Sequence, residues 1–415
     1  MKKYLILLLC ASFLFVPGVD ATEFSIHSKN AILYNVEEKT VMYSKNPDQK
    51  AMIASLTKVM TALTVLEKNP DLNKKIKMSD YADYNYIKKK DLSNSSYDKN
   101  KEYSYKDLLY SFILESSADC GYALAKDISG SEKNFVKEMN KEAEKVGMPS
   151  SHFSNPIGID DPNNYATMTD MLKLMKTALN NKSLKEIMST FVYKAEDGTE
   201  IYHSLAPYVN KDATNPIAKS LYMDYLKGGK TGTEEIPGHA LMSYANKNGT
   251  TYILVTTNAK DNKNAPEHVE DAKTIYSYYF NNYEYKTLVK KGFNLITLKT
   301  KYLKEDKVDV IMKDDIKYFT DKTFDTNKVL VRYEGIKTIT PKYKKGDKLG
   351  NCYIYYDNDL IKTVKVTLDQ DTHMSFIDFI NYNKYIFIAS ICYLVIILGT
   401  IITVVKIKKK KKAWN

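Results

Sequence analysis

A serine with a lysine three residues on, Ser55-Leu56-Thr57-Lys58, stands near the start of a stretch of helix-forming text. Residues three apart share a helix face, so this hydroxyl and this amine can meet. A serine hydroxyl is a weak nucleophile until a base takes its proton. A lysine amine can be that base when burial or a neighbouring positive charge lowers its pKa. The apolar text from Met52 to Val65 supplies the burial. On its own the pair is unspecific, because in a lysine-rich chain a solvated helix face produces it too.

Two further elements share this chemistry. Ser116-Ser117-Ala118-Asp119 lies between two predicted helices. A hydroxyl there can relay a proton between the lysine amine and a leaving group, or simply cap the second helix. Lys230-Thr231-Gly232-Thr233 follows Gly228-Gly229 and is read as lying shortly before a strand. A cationic lysine and a threonine hydroxyl on a strand edge suit a substrate carboxylate, and Gly232 permits close backbone approach.

In this order and spacing the three elements resemble the penicillin-binding protein and serine β-lactamase superfamily. Within it the chain is most similar to the low-molecular-mass serine D-alanyl-D-alanine carboxypeptidases, peptidase family S11. The likeness extends to Ala31-Ile32-Leu33-Tyr34, the Ala54 to Thr61 block, Phe153-Ser154-Asn155-Pro156-Ile157-Gly158-Ile159-Asp160, Tyr165-Ala166-Thr167 and Lys345-Gly346-Asp347-Lys348-Leu349-Gly350. It covers residues 24 to 370.

The resemblance implies a role for each site residue. Ser55 is the acylated nucleophile and Lys58 its base. Ser116 is the second-motif hydroxyl. Lys230 and Thr231 bind the terminal carboxylate of a peptidoglycan stem peptide ending in D-Ala-D-Ala. The backbone amides of Ser55 and Thr233 form an oxyanion hole. β-Lactam antibiotics acylate the same serine, and neither a cofactor nor a metal is expected. One position departs from the family pattern: Ala118 stands where an asparagine is usual two residues after the second-motif serine. Counting back from Ala123-Leu124-Ala125 gives Ser116 that serine's place, and a one-residue gap gives it to Ser117. Asp119 is expected near Lys58, compensating in part. A secreted β-lactamase and a catalytically impaired wall-binding scaffold are the competing readings, the latter because of Ala118.

Strands, helices, then strands and a helix must position these groups. Ala31–Tyr34 and Thr40–Tyr43 flank the polar turn Glu37-Glu38-Lys39. Predicted helices cover residues 54–67, 105–114, 118–128, 132–146, 169–179 and 267–280. Strands over 239–244 and 251–257 flank the Asn248-Gly249 turn signal. That order suits an α+β fold, an antiparallel sheet with an inserted helical cluster, as in the penicillin-binding protein/serine β-lactamase-like transpeptidase domain. From Tyr283 short alternating stretches read as a small all-β sandwich domain.

The ends carry targeting signals. Lys2, Lys3, the apolar Tyr4–Val19 stretch and Val19-Asp20-Ala21 read as a secretory signal cleaved after Ala21. Tyr385 to Val405 is an uncharged apolar run long enough to cross a bilayer. Lys406 and Lys408–Lys412 follow, which places the tail in the cytoplasm and the rest outside. The expected organisation is therefore signal peptide 1–21, carboxypeptidase domain 22–282, β domain 283–372, juxtamembrane linker 373–384, transmembrane helix 385–405 and basic cytoplasmic tail 406–415. The net charge of +11 comes partly from that tail and otherwise from scattered lysine, with Arg332 nearly alone. Nucleic-acid readers lean on arginine for bidentate contacts, so no nucleic acid is expected. Cys120 and Cys352 fall in different domains and offer no disulfide framework or zinc pattern.

Overall fold

The computed structural model describes residues 24–412 apart from 69, 235–237 and 261–265. The expected signal sequence, with Cys10, lies outside the described residues. The chain divides into two compact units between Asn281 and Asn282.

In the first unit the N-terminal hairpin is formed by β1, Asn30–Asn35, and β2, Thr40–Lys45. Three late strands, β3 (Leu226–Glu234), β4 (Gly238–Lys247) and β5 (Thr250–Ala259), complete an antiparallel sheet ordered β2-β1-β5-β4-β3. Pairing of Asn30 with Thr257 through Asn35 with Tyr252 joins the two ends of the unit. The β4–β5 turn follows its sequence signal: Asn248 and Gly249 both take positive φ, 52° and 82°, as the tight hairpin turn requires.

A helical cluster is inserted between the hairpin and the late strands. Its members are α1 (Thr57–Glu67), α2 (Tyr105–Leu114), α3 (Ala118–Ser129), α4 (Glu132–Val146) and α5 (Met168–Asn180), and α6 (Glu267–Asn282) follows the last sheet strand. Ser104, Ser131 and Thr167 cap α2, α4 and α5 through their side-chain oxygens. Gly130 and Gly147 end α3 and α4 in the left-handed conformation. From Thr57 to Val65 every residue of α1 is buried, so this helix is the axis of the core. Leu56, Val59, Met60 and Leu63 are fully inaccessible. Each such burial contributes about 1.5–3 kcal/mol, and together they hold the start of α1 in place.

In the second unit, strands between Tyr283 and Thr367 form one two-stranded and two three-stranded sheets. They enclose a core that includes Val289, Leu298, Val310, Cys352, Ile354 and Val366. After them come a short helix, Phe376–Tyr382, and α7, Lys384–Lys412. Within Lys384–Lys410 an 18-residue stretch of α7 has a mean hydropathy of 2.6, and this part is long and apolar enough to cross a membrane.

Candidate active site

Ser55 sits on a single 3-10 turn, Ala54–Leu56, that leads into α1. Its predecessor Ala54 is held at φ 48°, a left-handed conformation that costs a non-glycine residue about 1–3 kcal/mol. Two glycines make room for this kink. A Cβ on Gly158, itself at φ +81°, would lie 2.1 Å from the Ala54 carbonyl oxygen. One on Gly232 would lie 3.3 Å from the Ser55 nitrogen. The turn carrying Gly158 is built around Asn155, whose Oδ1 accepts from the backbone N–H groups of Ile157, Gly158 and Ile159 at 3.3, 2.6 and 3.0 Å. Thr61 Oγ1 ties that turn to α1 by donating to Pro156 O at 2.6 Å.

One helical turn after Ser55, Lys58 is 4 % exposed. Its Nζ donates to Ser55 Oγ at 2.7 Å and to Ile157 O at 2.6 Å. The Asn155 turn therefore orients the amine that faces the serine. Ser116, at φ 66°, donates its hydroxyl to Ser55 Oγ at 3.2 Å. Ser117 is fully buried and accepts from Ser111 Oγ at 2.9 Å, so of the two adjacent serines Ser116 faces Ser55. Ser117 occupies the N-cap position of α3 without a side-chain capping bond; the Ala118 N–H goes to Ser93 O at 2.7 Å. Asp119 differs from the sequence expectation. Its carboxylate accepts from Ser95 N and Oγ at 3.0 and 2.7 Å, from Tyr84 OH at 3.4 Å and from Cys120 N at 3.0 Å, so the hydrogen bonds it accepts come from the 84–96 segment and from its own helix.

The third element lies inside β3 rather than shortly before a strand. Lys230 is fully buried and donates to Thr231 O at 2.8 Å. Burial, and then the nearby Lys58 charge, hold its amine well below the ordinary lysine range. Thr231 Oγ1 pairs with Ser204 Oγ at 2.8 Å, and Thr233 Oγ1 with His239 Nδ1 at 3.2 Å. Sequence reading missed His203 and Ser204, which sit in polar text with no motif. His203 is 1 % exposed. The Leu205 N–H donates to its Nδ1 at 2.9 Å, which leaves Nε2–H to donate to Gly229 O at 3.0 Å. Burial and the Lys230 charge push this imidazole down to about 3, so it stays neutral beside the lysine.

Ser55, Lys58 and Ser116 are thus brought into one hydrogen-bonded group, with Gly232 of the Lys230 strand packed against its backbone. Such an arrangement can deprotonate and aim a serine oxygen, pass a proton through a second hydroxyl, and attract an anion. Among the described residues no group of three His, Cys, Asp or Glu side chains is placed to hold a metal ion.

A family model described as D-alanyl-D-alanine carboxypeptidase matches residues 18–261. A second, described as Penicillin-binding protein 5, C-terminal domain, matches residues 283–373. The D-alanyl-D-alanine carboxypeptidase DacF of Bacillus subtilis is 28% identical over 356 residues, covering 85% of this chain and 88% of its own. Among solved structures, the Streptococcus pneumoniae peptidoglycan synthesis regulatory factor PBP3 matches 84% of this chain and 100% of its own, with a TM-score of 0.63 at 21% identity. Penicillin-binding protein D2 of Listeria monocytogenes in its ampicillin-bound form matches 62% of this chain and 98% of its own, with a TM-score of 0.52 at 23% identity. At those identities the two structures speak to the fold.

Proposed function

Because the chain belongs to the D-alanyl-D-alanine carboxypeptidase family, serine peptidase family S11, we propose that it removes the terminal D-alanine from peptidoglycan pentapeptide stems through an acyl-enzyme on Ser55. The observation that carries this reading is the 2.7 Å contact between Lys58 Nζ and Ser55 Oγ, with Ser116 Oγ 3.2 Å from the same oxygen.

That contact supports the proton transfer, and the family resemblance supports the remaining roles. Lys58 Nζ takes the Ser55 proton, and Oγ attacks the carbonyl carbon of the penultimate D-alanine. The Ser55 and Thr233 amides take the developing oxyanion. Ser116 relays the proton from Lys58 to the leaving D-alanine nitrogen, and the C–N bond breaks. Lys230 and Thr231 hold the departing carboxylate. Water then cleaves the Ser55 ester and leaves a stem one residue shorter. A penicillin follows the same first steps, but its opened ring stays attached to the acyl group. The similarity to penicillin-binding proteins, one of them seen with ampicillin, supports this extension.

The test uses the full chain in detergent. Incubation with a pentapeptide ending in D-Ala-D-Ala is expected to release one alanine, read by mass spectrometry, and a penicillin should add its mass to the peptide containing Ser55. Absence of both results would overturn the reading in favour of a wall-bound scaffold. Cleavage of cross-linked dimers without loss of alanine from the monomer would move it to an endopeptidase.

The same proposal puts the catalytic unit outside the membrane. The apolar run of α7 and the lysines at its end, Lys406 and Lys408–Lys412, support a single span with a cytoplasmic tail. Protease added to intact cells is expected to remove the catalytic unit and spare an epitope fused after Asn415. A digested epitope with a protected catalytic unit would reverse this orientation.

A further inference from the structure

Ala118 removes a carboxamide from the second motif, and the segment in front of α3 carries another, that of Asn94, on a backbone fastened beside Ala118. Residues 93–96 fasten to the end of α2 and the start of α3 at three points. Ser93 O accepts from Ala118 N at 2.7 Å. Ser95 N and Oγ donate to the Asp119 carboxylate at 3.0 and 2.7 Å. Ser96 N and Oγ both donate to the Glu115 carboxylate, the former at 3.2 Å. These partners bracket Ser116, whose hydroxyl is 3.2 Å from Ser55 Oγ. Asn94 lies between the first two fastenings. It is exposed, and its carboxamide makes no hydrogen bond to any described residue.

Covalent geometry fixes how far away it can be. The Ser93 carbonyl oxygen and the Asn94 Cα belong to one planar peptide, so the 2.7 Å bond keeps Asn94 Cα within about 6 Å of the Ala118 nitrogen. An asparagine side chain covers much of that distance. Ala118 itself is 2 % exposed, a small side chain lying under its neighbours that offers a substrate nothing to bond. A fastened backbone with one unpaired amide at its tip loses little entropy when that amide takes a partner.

We propose that Asn94 is a substrate-binding residue whose carboxamide, delivered by the Ser93–Ser96 segment, holds the stem-peptide backbone in place of the amide that Ala118 lacks. The proposal rests on the active-site reading above. A neutral hydrogen bond of this kind corresponds to about a threefold to tenfold change in rate constant.

The experiment is a double-mutant cycle on the full chain, reading kcat and KM on a D-Ala-D-Ala pentapeptide and the second-order rate of penicillin acylation. Asn94→Ala is expected to lower kcat/KM about threefold to tenfold without moving the melting temperature. In an Ala118→Asn background the same change should cost less than about twofold, because the amide has been restored. Since position 118 is buried, that background may be replaced by Asn94→Asp, which keeps the shape and removes the N–H donors. It should lose as much as Asn94→Ala. Rates within twofold of wild type for Asn94→Ala, equal losses in both backgrounds, or wild-type behaviour of Asn94→Asp would each overturn the assignment while leaving Ser55 acylation standing. A wild-type chain that forms no adduct at Ser55 overturns this inference and the active-site reading together.

Discussion

Ser55→Ala is expected to abolish penicillin labelling and to lower D-alanine release by roughly 10⁴-fold or more, since the nucleophile and its base act as a unit. The fold should survive. Ser55 is 9 % exposed and contributes one oxygen, and its loss leaves Lys58 Nζ bonded to Ile157 O. One hydrogen bond contributes about 0.5–1.5 kcal/mol net, a small shift in melting temperature for a domain of this size. Lys58→Ala should be nearly as inactive, and the double variant little worse than either single, because removing the base already leaves the hydroxyl unactivated. The stability readings should differ between the two. Lys58→Ala leaves the Ile157 carbonyl without its buried donor, at about 1–3 kcal/mol. Intact-protein mass spectrometry after penicillin treatment, with thermal melts on the same samples, separates the two effects. A full adduct on Ser55→Ala would sink the nucleophile assignment. Losses from the two single changes that simply multiply in the double would sink the paired mechanism.

The sequence carried the elements better than the directions in which their side chains are used. Periodicity and punctuation placed α2 and α4 at their observed limits, and the Asn248-Gly249 signal placed the β4–β5 turn. The SxxK spacing put Lys58 on the same helix face as Ser55, where the 2.7 Å contact forms. Three things escaped because they depend on neighbours distant in the chain. Lys230-Thr231-Gly232-Thr233 reads as lying shortly before a strand, yet it and the preceding Gly228 and Gly229 lie within β3. Cβ atoms added to Gly228 and Gly229 would come 2.1 Å from Met188 O and 2.4 Å from Met242 O, so close packing and not a bend selects them. Asp119 follows the second motif and seemed bound for Lys58, but local order does not tell which way a helix start presents its carboxylate, and it caps Ser95 instead. His203 and Ser204 belong to no motif. They matter because the chain returns there to the backbone of Gly229 and the hydroxyl of Thr231, a relation with no period to detect.

Gly158→Ala is expected to slow penicillin acylation by about 100-fold or more although residue 158 has no side chain and plays no part in the chemistry. The added methyl would stand 2.1 Å from Ala54 O, 2.6 Å from Ala54 C and 3.1 Å from Ser55 N. All three are backbone atoms, which cannot swing aside as the end of a side chain can. The φ of +81° adds strain of about 1–2 kcal/mol for any L-residue with a Cβ. Relief has two routes. Either the Ala54–Ser55 kink moves, which shifts the nucleophile, or the Asn155–Ile159 turn withdraws and takes with it the Ile157 carbonyl that orients Lys58 at 2.6 Å. A displacement of about 1 Å in either group is enough for a 100-fold loss. Gly130→Ala is the control. Its φ of +73° carries similar strain, but nothing lies within 4 Å of the added Cβ, at the far end of α3. It should lower the melting temperature modestly and acylate at the wild-type rate. Stopped-flow acylation and thermal melts on both variants distinguish strain from contact. Wild-type acylation by Gly158→Ala would show that the close approach to Ala54 does not hold the nucleophile, and equal acylation losses in both variants would trace the effect to general destabilisation.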